Sequence, residues 1–142
     1  MGSVIKVREM TGETNLKTLL ASMSPRLDDT GWVFAKVDEE EAVRFSASAI
    51  ASFREAEGLT LVLPQSASGD LENVSAPMSR ITLEVHSSLE AVGLTAAVAG
   101  ALAQEGISAN VIAAYYHDHI FVPKASADRA LAVLRGLSTS TN

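Results

Sequence analysis

An α+β fold, an antiparallel sheet with helices on one face, is predicted by three observations. Ile81–Val85 alternates apolar and polar side chains, as a half-buried strand does. Val92–Gln104 follows with Leu94, Val98 and Leu102 at four-residue intervals, the spacing of a helix stripe. A third pattern occurs twice: GLTLVLPQSAS (58–68) and DHIFVPKASA (118–127) are each a short apolar strand ending in proline, then a polar residue and small residues.

In chain order, Leu16–Met23 has an amphipathic helical pattern that Thr14 or Asn15 can cap and Pro25 ends. Trp32–Val37 alternates like Ile81–Val85. DEEEAVRFSAS, from Asp38 to Ser48, reads as a reduced crossover helix. The spacing from Val37 to Pro64 is 27 residues, against 38 from Val85 to Pro123, a deficit of about three helical turns. Arg54, Glu55 and Glu57 precede Gly58 at an expected hairpin, and polar Ser66–Pro77 reads as a linker between two modules.

In the second half Ser87, Ser88 and Glu90 offer caps to the helix over Val92–Gln104, and Gly106 sits where a left-handed C-terminal cap belongs. Ile107–Tyr115 and Ile120–Pro123 read as strands joined through Tyr116-His117-Asp118-His119. A last helix is expected over Ser126–Arg135, using Ala130, Leu131 and Leu134. Two helices on one face of such a sheet is the ferredoxin-like layer arrangement. The internal repeat divides the chain into a degenerate module over 1–72 and a complete one over 73–142.

Composition narrows the function classes. With 11 basic and 17 acidic residues the net charge is −6, and no basic stripe is present, so nucleic acid is not an expected partner. Cysteine is absent, which removes disulfides, thiolate metal sites and cysteine nucleophiles. The most apolar run, Val92–Ala103, is too short to cross a bilayer, so no membrane partner is expected. MGSVIKVREM does not read as a secretory signal, and a soluble, cytoplasmic protein is the expectation.

The string VGLTAAVAGALAQEGISANVI (92–112) resembles the ACT domain, including the regulatory part of aspartate kinases. It shares a glycine at the loop-to-helix junction (Gly93), a helix of small and apolar residues, and Asn110 near the start of the next strand. Over 16–134 the chain is similar to small bacterial proteins made of two ACT modules. FREAEGLTLVLP (53–64), VHSSLEAVGLTAAV (85–98) and YYHDHIFVP (115–123) carry that likeness. The resemblance implies tandem βαββαβ modules that pair side by side, with association of copies through sheet edges. It further implies a non-catalytic regulatory protein with a small-molecule ligand, an amino acid, bound at a module interface. Carried over residue by residue, the binding positions are Val92, Gly93 and Leu94 at the loop, with Asn110, Val111 and Ile112 on the strand. Helix N-terminal N–H groups suit a carboxylate, and an Asn side chain both donates and accepts.

All three histidines, His86, His117 and His119, fall in the second half, with Asp118 between the last two. Imidazole and carboxylate at one sheet edge could hold a divalent metal. The preferred reading is a polar cluster making a turn and cross-strand hydrogen bonds, with no metal. Tyr115 and Tyr116 suit an interface or pocket wall. There is no G-x-S-x-G elbow, P-loop or dinucleotide fingerprint, so neither catalysis nor a cofactor is expected.

Overall fold

A computed structural model describes residues 15–85 and 92–140. Thr14, His86, Ser87, Ser88 and Glu90 therefore lie outside the described residues. The elements are α1 (Leu16–Ala21), β1 (Pro25–Val37), α2 (Glu39–Phe45), β2 (Ala51–Glu55), β3 (Gly58–Pro64), β4 (Met78–Leu83), α3 (Leu94–Gln104), β5 (Asn110–Ala113), β6 (Asp118–Pro123) and α4 (Ala127–Ser140). They form an antiparallel α+β architecture of the ferredoxin-like kind. The chain folds as two compact units. Asp29–Ser79 makes the smaller one and is inserted between the two stretches, up to Asp28 and from Arg80, that make the larger.

In the larger unit the strands lie in the order β1-β4-β6-β5, with only the first residues of β1, Pro25–Asp28, taking part. A βαββαβ fold places its fourth strand beside its first. Here that place is filled by chain that comes before the rest of the unit. Two ion pairs tie the first two strands, Arg26 Nε to Glu84 at 2.9 Å and Arg80 Nε to Asp28 at 2.7 Å. The first is about half exposed and contributes little; the second is mostly shielded from solvent.

Alternation along β4 and β6 sends Ile81, Leu83, Ile120 and Val122 to the helix-covered face. They meet Leu94, Val98 and Leu102 of α3, the expected stripe, and Ala130 and Leu134 of α4. α1 is only six residues, too short to hold itself as a helix in water. Asn15 caps it by accepting from the Thr18 N–H at 3.0 Å, Leu19 and Met23 are fully buried in the same core, and the Ser138 hydroxyl donates to the Ala21 carbonyl at 3.3 Å. At the end of α3, Gly106 is left-handed (φ +70°). Its N–H bonds to the Ala103 carbonyl, and that of Ile107 to the Leu102 carbonyl, each at 3.0 Å. This is a Schellman closure, with Ile107 and Leu102 buried together.

In the smaller unit the order is β2-β3-β1, with Trp32 opposite Pro64 and Val37 opposite Leu59. Asp38 and Glu41 form a reciprocal capping box at the start of α2. Phe45 of that helix covers Val33, Ala35, Leu61 and Leu63. α2 is seven residues against eleven for α3, the reduced crossover that the spacing predicts.

Some expectations are corrected. Ser66–Pro77 is not a free linker. Leu71 is buried, and Val74 bridges Ala35, flanked by bonds from the Lys36 N–H to the Asn73 carbonyl (2.9 Å) and from the Ser75 N–H to the Phe34 carbonyl (2.8 Å). These residues form a rudimentary fourth strand. Pro64 and Pro123 both lead into a 3-10 turn, Gln65–Ala67 and Lys124–Ser126, but only the latter runs on into a helix. The first module has thus lost its second helix as well as shortening its first. The strand expected over Ile107–Tyr115 shrinks to β5, because the Schellman closure uses Ile107 as an anchor. The hairpin turn closes earlier, with the Ala114 N–H on the His117 carbonyl, so Asp118 and His119 belong to β6. α3 begins at Leu94, not Val92, and α4 continues to Ser140, beyond the expected Arg135.

The core assignment carries a measurable cost. Leu102→Ala is expected to lower the unfolding free energy by about 2–5 kcal/mol. Val43→Ala, on the exposed side of α2, is expected to stay within about 0.5 kcal/mol. Urea unfolding of the two variants compares them directly.

Candidate functional site

Gly93 is the N-cap of α3 and is left-handed (φ 99°, ψ −18°). A side chain is strained in that conformation, and a Cβ there would stand 3.0 Å from Leu16 Cδ2. Glycine thus serves the packing of α1 against the turn. It also brings no side-chain oxygen to the N-cap, so the first-turn N–H groups draw no capping bond from this residue. Val92 beside it is exposed and Leu94 is buried.

Asn110 opens β5 at the far end of α3. Eleven helical residues rise about 16 Å, so Gly93 and Asn110 do not meet within one chain. The Asn110 side chain is exposed, and its Nδ2 donates to the Phe121 carbonyl across the β5–β6 pair at 3.3 Å. Val111 and Ile112 are half-buried, and Ile112 stands opposite His119. β5 is the outermost strand of its unit, the position from which these residues can face a neighbouring copy.

Of the expected polar cluster, His86 lies outside the described residues. His117 is half-buried with Nδ1 3.4 Å from the Val85 carbonyl, while His119 Nδ1 hydrogen-bonds the Thr82 hydroxyl at 3.1 Å. Asp118 is buried. Strand alternation places it on the side of Ile120, whereas His119 shares the opposite face with Phe121. Asp118 therefore points away from His119, and among the described residues no group of three or more ligating side chains is placed to hold a metal. Burial holds the His119 imidazole below its ordinary pKa of 6.5; the Arg80 and His117 charges add to this, Asp118 opposes it and Arg26 adds a smaller push.

A cleft of about 440 Å³ opens in the smaller unit, where β1 hands over to α2. Val37, Ala42 and Leu59 give it an apolar floor, and Asp38, Glu39, Arg54 and Glu55 stand around it. Asp38 Oδ1 accepts from the Glu41 N–H at 2.8 Å, and Glu55 accepts from the Thr60 hydroxyl at 2.6 Å. From the sequence these charges are expected in a reduced crossover helix and at a hairpin, not around one cleft. The internal repeat held the missed signal, since aligning Val37 with Val85 puts Asp38 and Glu39 in the strand-to-helix turn of the first module.

Known proteins share this fold. A family model described as an ACT domain matches residues 11–72, and another, also described as an ACT domain, matches 76–136. The crystal structure of a protein of unknown function from Vibrio cholerae, described as a possible transport protein, is 52% identical, with TM-score 0.76, over 87% of this chain and 95% of that one. A protein from Agrobacterium tumefaciens is 18% identical, with TM-score 0.67, over 80% of this chain and 87% of that one. The regulatory subunit of aspartate kinase from Thermus flavus shares the fold at 8% identity and TM-score 0.60, over 82% of this chain and 98% of that one. Comparison with curated proteins gives no match. Among the described residues no helix is long and apolar enough to cross a membrane.

Gly93→Ala is expected to cost about 1–2 kcal/mol, and most of that loss should persist in a Leu16→Ala background because the backbone strain remains. Urea unfolding of both single variants and the double variant separates strain from crowding. His119 gives a pH dependence. Its folded pKa lies below the unfolded one, so the unfolded chain binds more protons in between. Its contribution is intact above about pH 6.5 and is lost as pH falls through the lowered folded value. Stability measured downward from pH 7.5 should fall less steeply in His119→Gln than in the parent protein.

Proposed function

Because the chain belongs to the ACT-domain family, whose modules are regulatory, we propose that it is a non-catalytic cytoplasmic regulator that binds a small molecule, an amino acid. The two modules are taken as 1–72 and 73–142. The supporting observation is the start of α3. An eleven-residue helix begins on a left-handed glycine with an exposed neighbour, and its first-turn N–H groups suit a ligand carboxylate. Val92, Gly93 and Leu94 form one half of the site. Asn110, Val111 and Ile112, at the other end of α3, form the other half on a second copy lying alongside. Ligand and pairing are then linked: whatever binds across two copies favours the paired state. The Leu16 side chain against Gly93 limits how deep a ligand can sit in this turn.

A second reading is favoured by one observation. Phe53 is 72% exposed on β2, the outermost strand of the smaller unit, and an apolar side chain on an unpaired strand edge suits association with another chain. On that reading the protein is an interaction module that binds no ligand.

Thermal unfolding with each amino acid in turn decides between the two. Binding to the folded state should add about 2.7 kcal/mol at a hundredfold excess over the dissociation constant, with light scattering showing a larger paired fraction. If none of the amino acids shifts the transition at about 10 mM, the ligand-binding reading fails and the interaction module stands.

A further inference from the structure

We propose that the first turn of α1 is an autoinhibitory gate on the start of α3, and that Leu16 has to swing away from Gly93 before a ligand reaches that turn. The gate rests on the reading of the turn as a ligand site and adds how entry to it is controlled. The three atoms nearest to a Cβ built on Gly93 are Leu16 Cδ2 at 3.0 Å, Cδ1 at 3.7 Å and Cγ at 3.8 Å. The isobutyl group of Leu16 therefore fills the space that the missing side chain of the glycine leaves open. Val92, Thr95 and Ala96 beside it are exposed, so the helix start is open to solvent on one side and covered by α1 on the other.

The two halves of α1 are held by different things. Its second half is fixed by the core, where Leu19 and Met23 are fully buried. There the Thr18 carbonyl also accepts from the Ser22 N–H at 3.1 Å and from the Ser22 hydroxyl at 2.6 Å. Its first turn hangs on Asn15, whose side chain accepts from the Thr18 N–H at 3.0 Å and whose carbonyl accepts from the Leu19 N–H at 2.9 Å. Leu16 is only half-buried, and Lys17 and Thr18 are exposed. A terminal turn held this way opens locally at little cost. Breaking the two Asn15 bonds frees Leu16 while Leu19 stays in the core. A ligand that needs the open form then binds more weakly by the fraction of molecules in which the gate is open, and anything that loosens the first turn strengthens binding.

Amide exchange and chemical-shift titration of the full-length, ¹⁵N-labelled protein test this. The Thr18 and Leu19 amides should exchange at least about tenfold faster than the Ile107 amide, which opens with the core. Inorganic phosphate serves as the probe of the helix start. Leu16→Ala, which trims the gate, should let phosphate move the Leu94, Thr95 and Ala96 amides at a concentration at least about fivefold lower than the parent protein needs. Asn15→Ala keeps Leu16 and loosens only its turn, and the loss of this cap should give a shift of about fivefold in the same direction. The gate is overturned if Thr18 and Leu19 exchange no faster than Ile107. It is also overturned if phosphate acts on all three proteins at one concentration, or on none of them up to about 50 mM. The same titration with each amino acid separates the gate from the reading beneath it. A phosphate response in the variants with silence from every amino acid keeps the gate and removes the amino-acid ligand. An amino acid that binds the parent and both variants equally keeps the ligand and removes the gate.

Discussion

The larger unit depends on one closure, the burial of Leu19 and Met23 among side chains that lie beyond the inserted unit in the chain. Without them α3 and α4 would leave apolar surface open beside Ile81 and Leu134. Each fully buried side chain of this size is worth about 1.5–3 kcal/mol. A six-residue helix supplies none of that by itself; it exists because the core holds it. Bringing its residues to that core means closing a loop longer than the smaller unit, and the entropy of such closure grows only slowly with length. An insertion of this size therefore costs little more than a short one would.

The smaller unit shows how far a βαββαβ plan can be reduced. Its first helix is short, its second is absent, and its fourth strand is a single bridge at Val74 supported by Ser75, whose hydroxyl accepts from the Phe34 N–H at 2.9 Å. What survives is the β1–β3 pairing and one aromatic side chain, Phe45, over it. Losing the helices removes cover, and with it room for a deep core. It also leaves the turn at Val37–Glu39 open, where the larger unit has Leu16 against Gly93. The two turns occupy the same place in the repeat and present different surfaces, one narrowed by an aliphatic side chain and one ringed by charge.

Much of this was legible in the sequence, and the limits are physical. The four-residue spacing of Leu94, Val98 and Leu102 gave α3, and Asn15 gave the start of α1. The proline-ended strands gave the repeat. The extension of β1 back to Pro25 was hidden because Arg26, Leu27 and Asp28 do not alternate clearly; that stretch is held by the shielded Asp28–Arg80 pair and by Leu27 packed against the larger core. The missing second helix was hidden because QSAS and KASA look alike locally and only their continuations differ. Gly93 lies in a turn and Asn110 opens a strand, as their sequence neighbours suggest. Their separation along α3 follows from topology, which single residues do not encode. The cleft draws Glu39 and Arg54 together from different elements, a juxtaposition that exists only in the folded chain.

The insertion also sets an order of events during synthesis. Leu19 leaves the ribosome long before Leu134, its companion in the core, and at ordinary elongation rates the delay is roughly 6–23 s. The inserted unit, complete by Ser79, has every residue it needs well before then. The first helix must wait, with its apolar side chains uncovered, while a later part of the chain folds ahead of it. Nascent chains of this protein therefore carry an apolar segment around Leu19 whose partners on α3 and α4 are made only later.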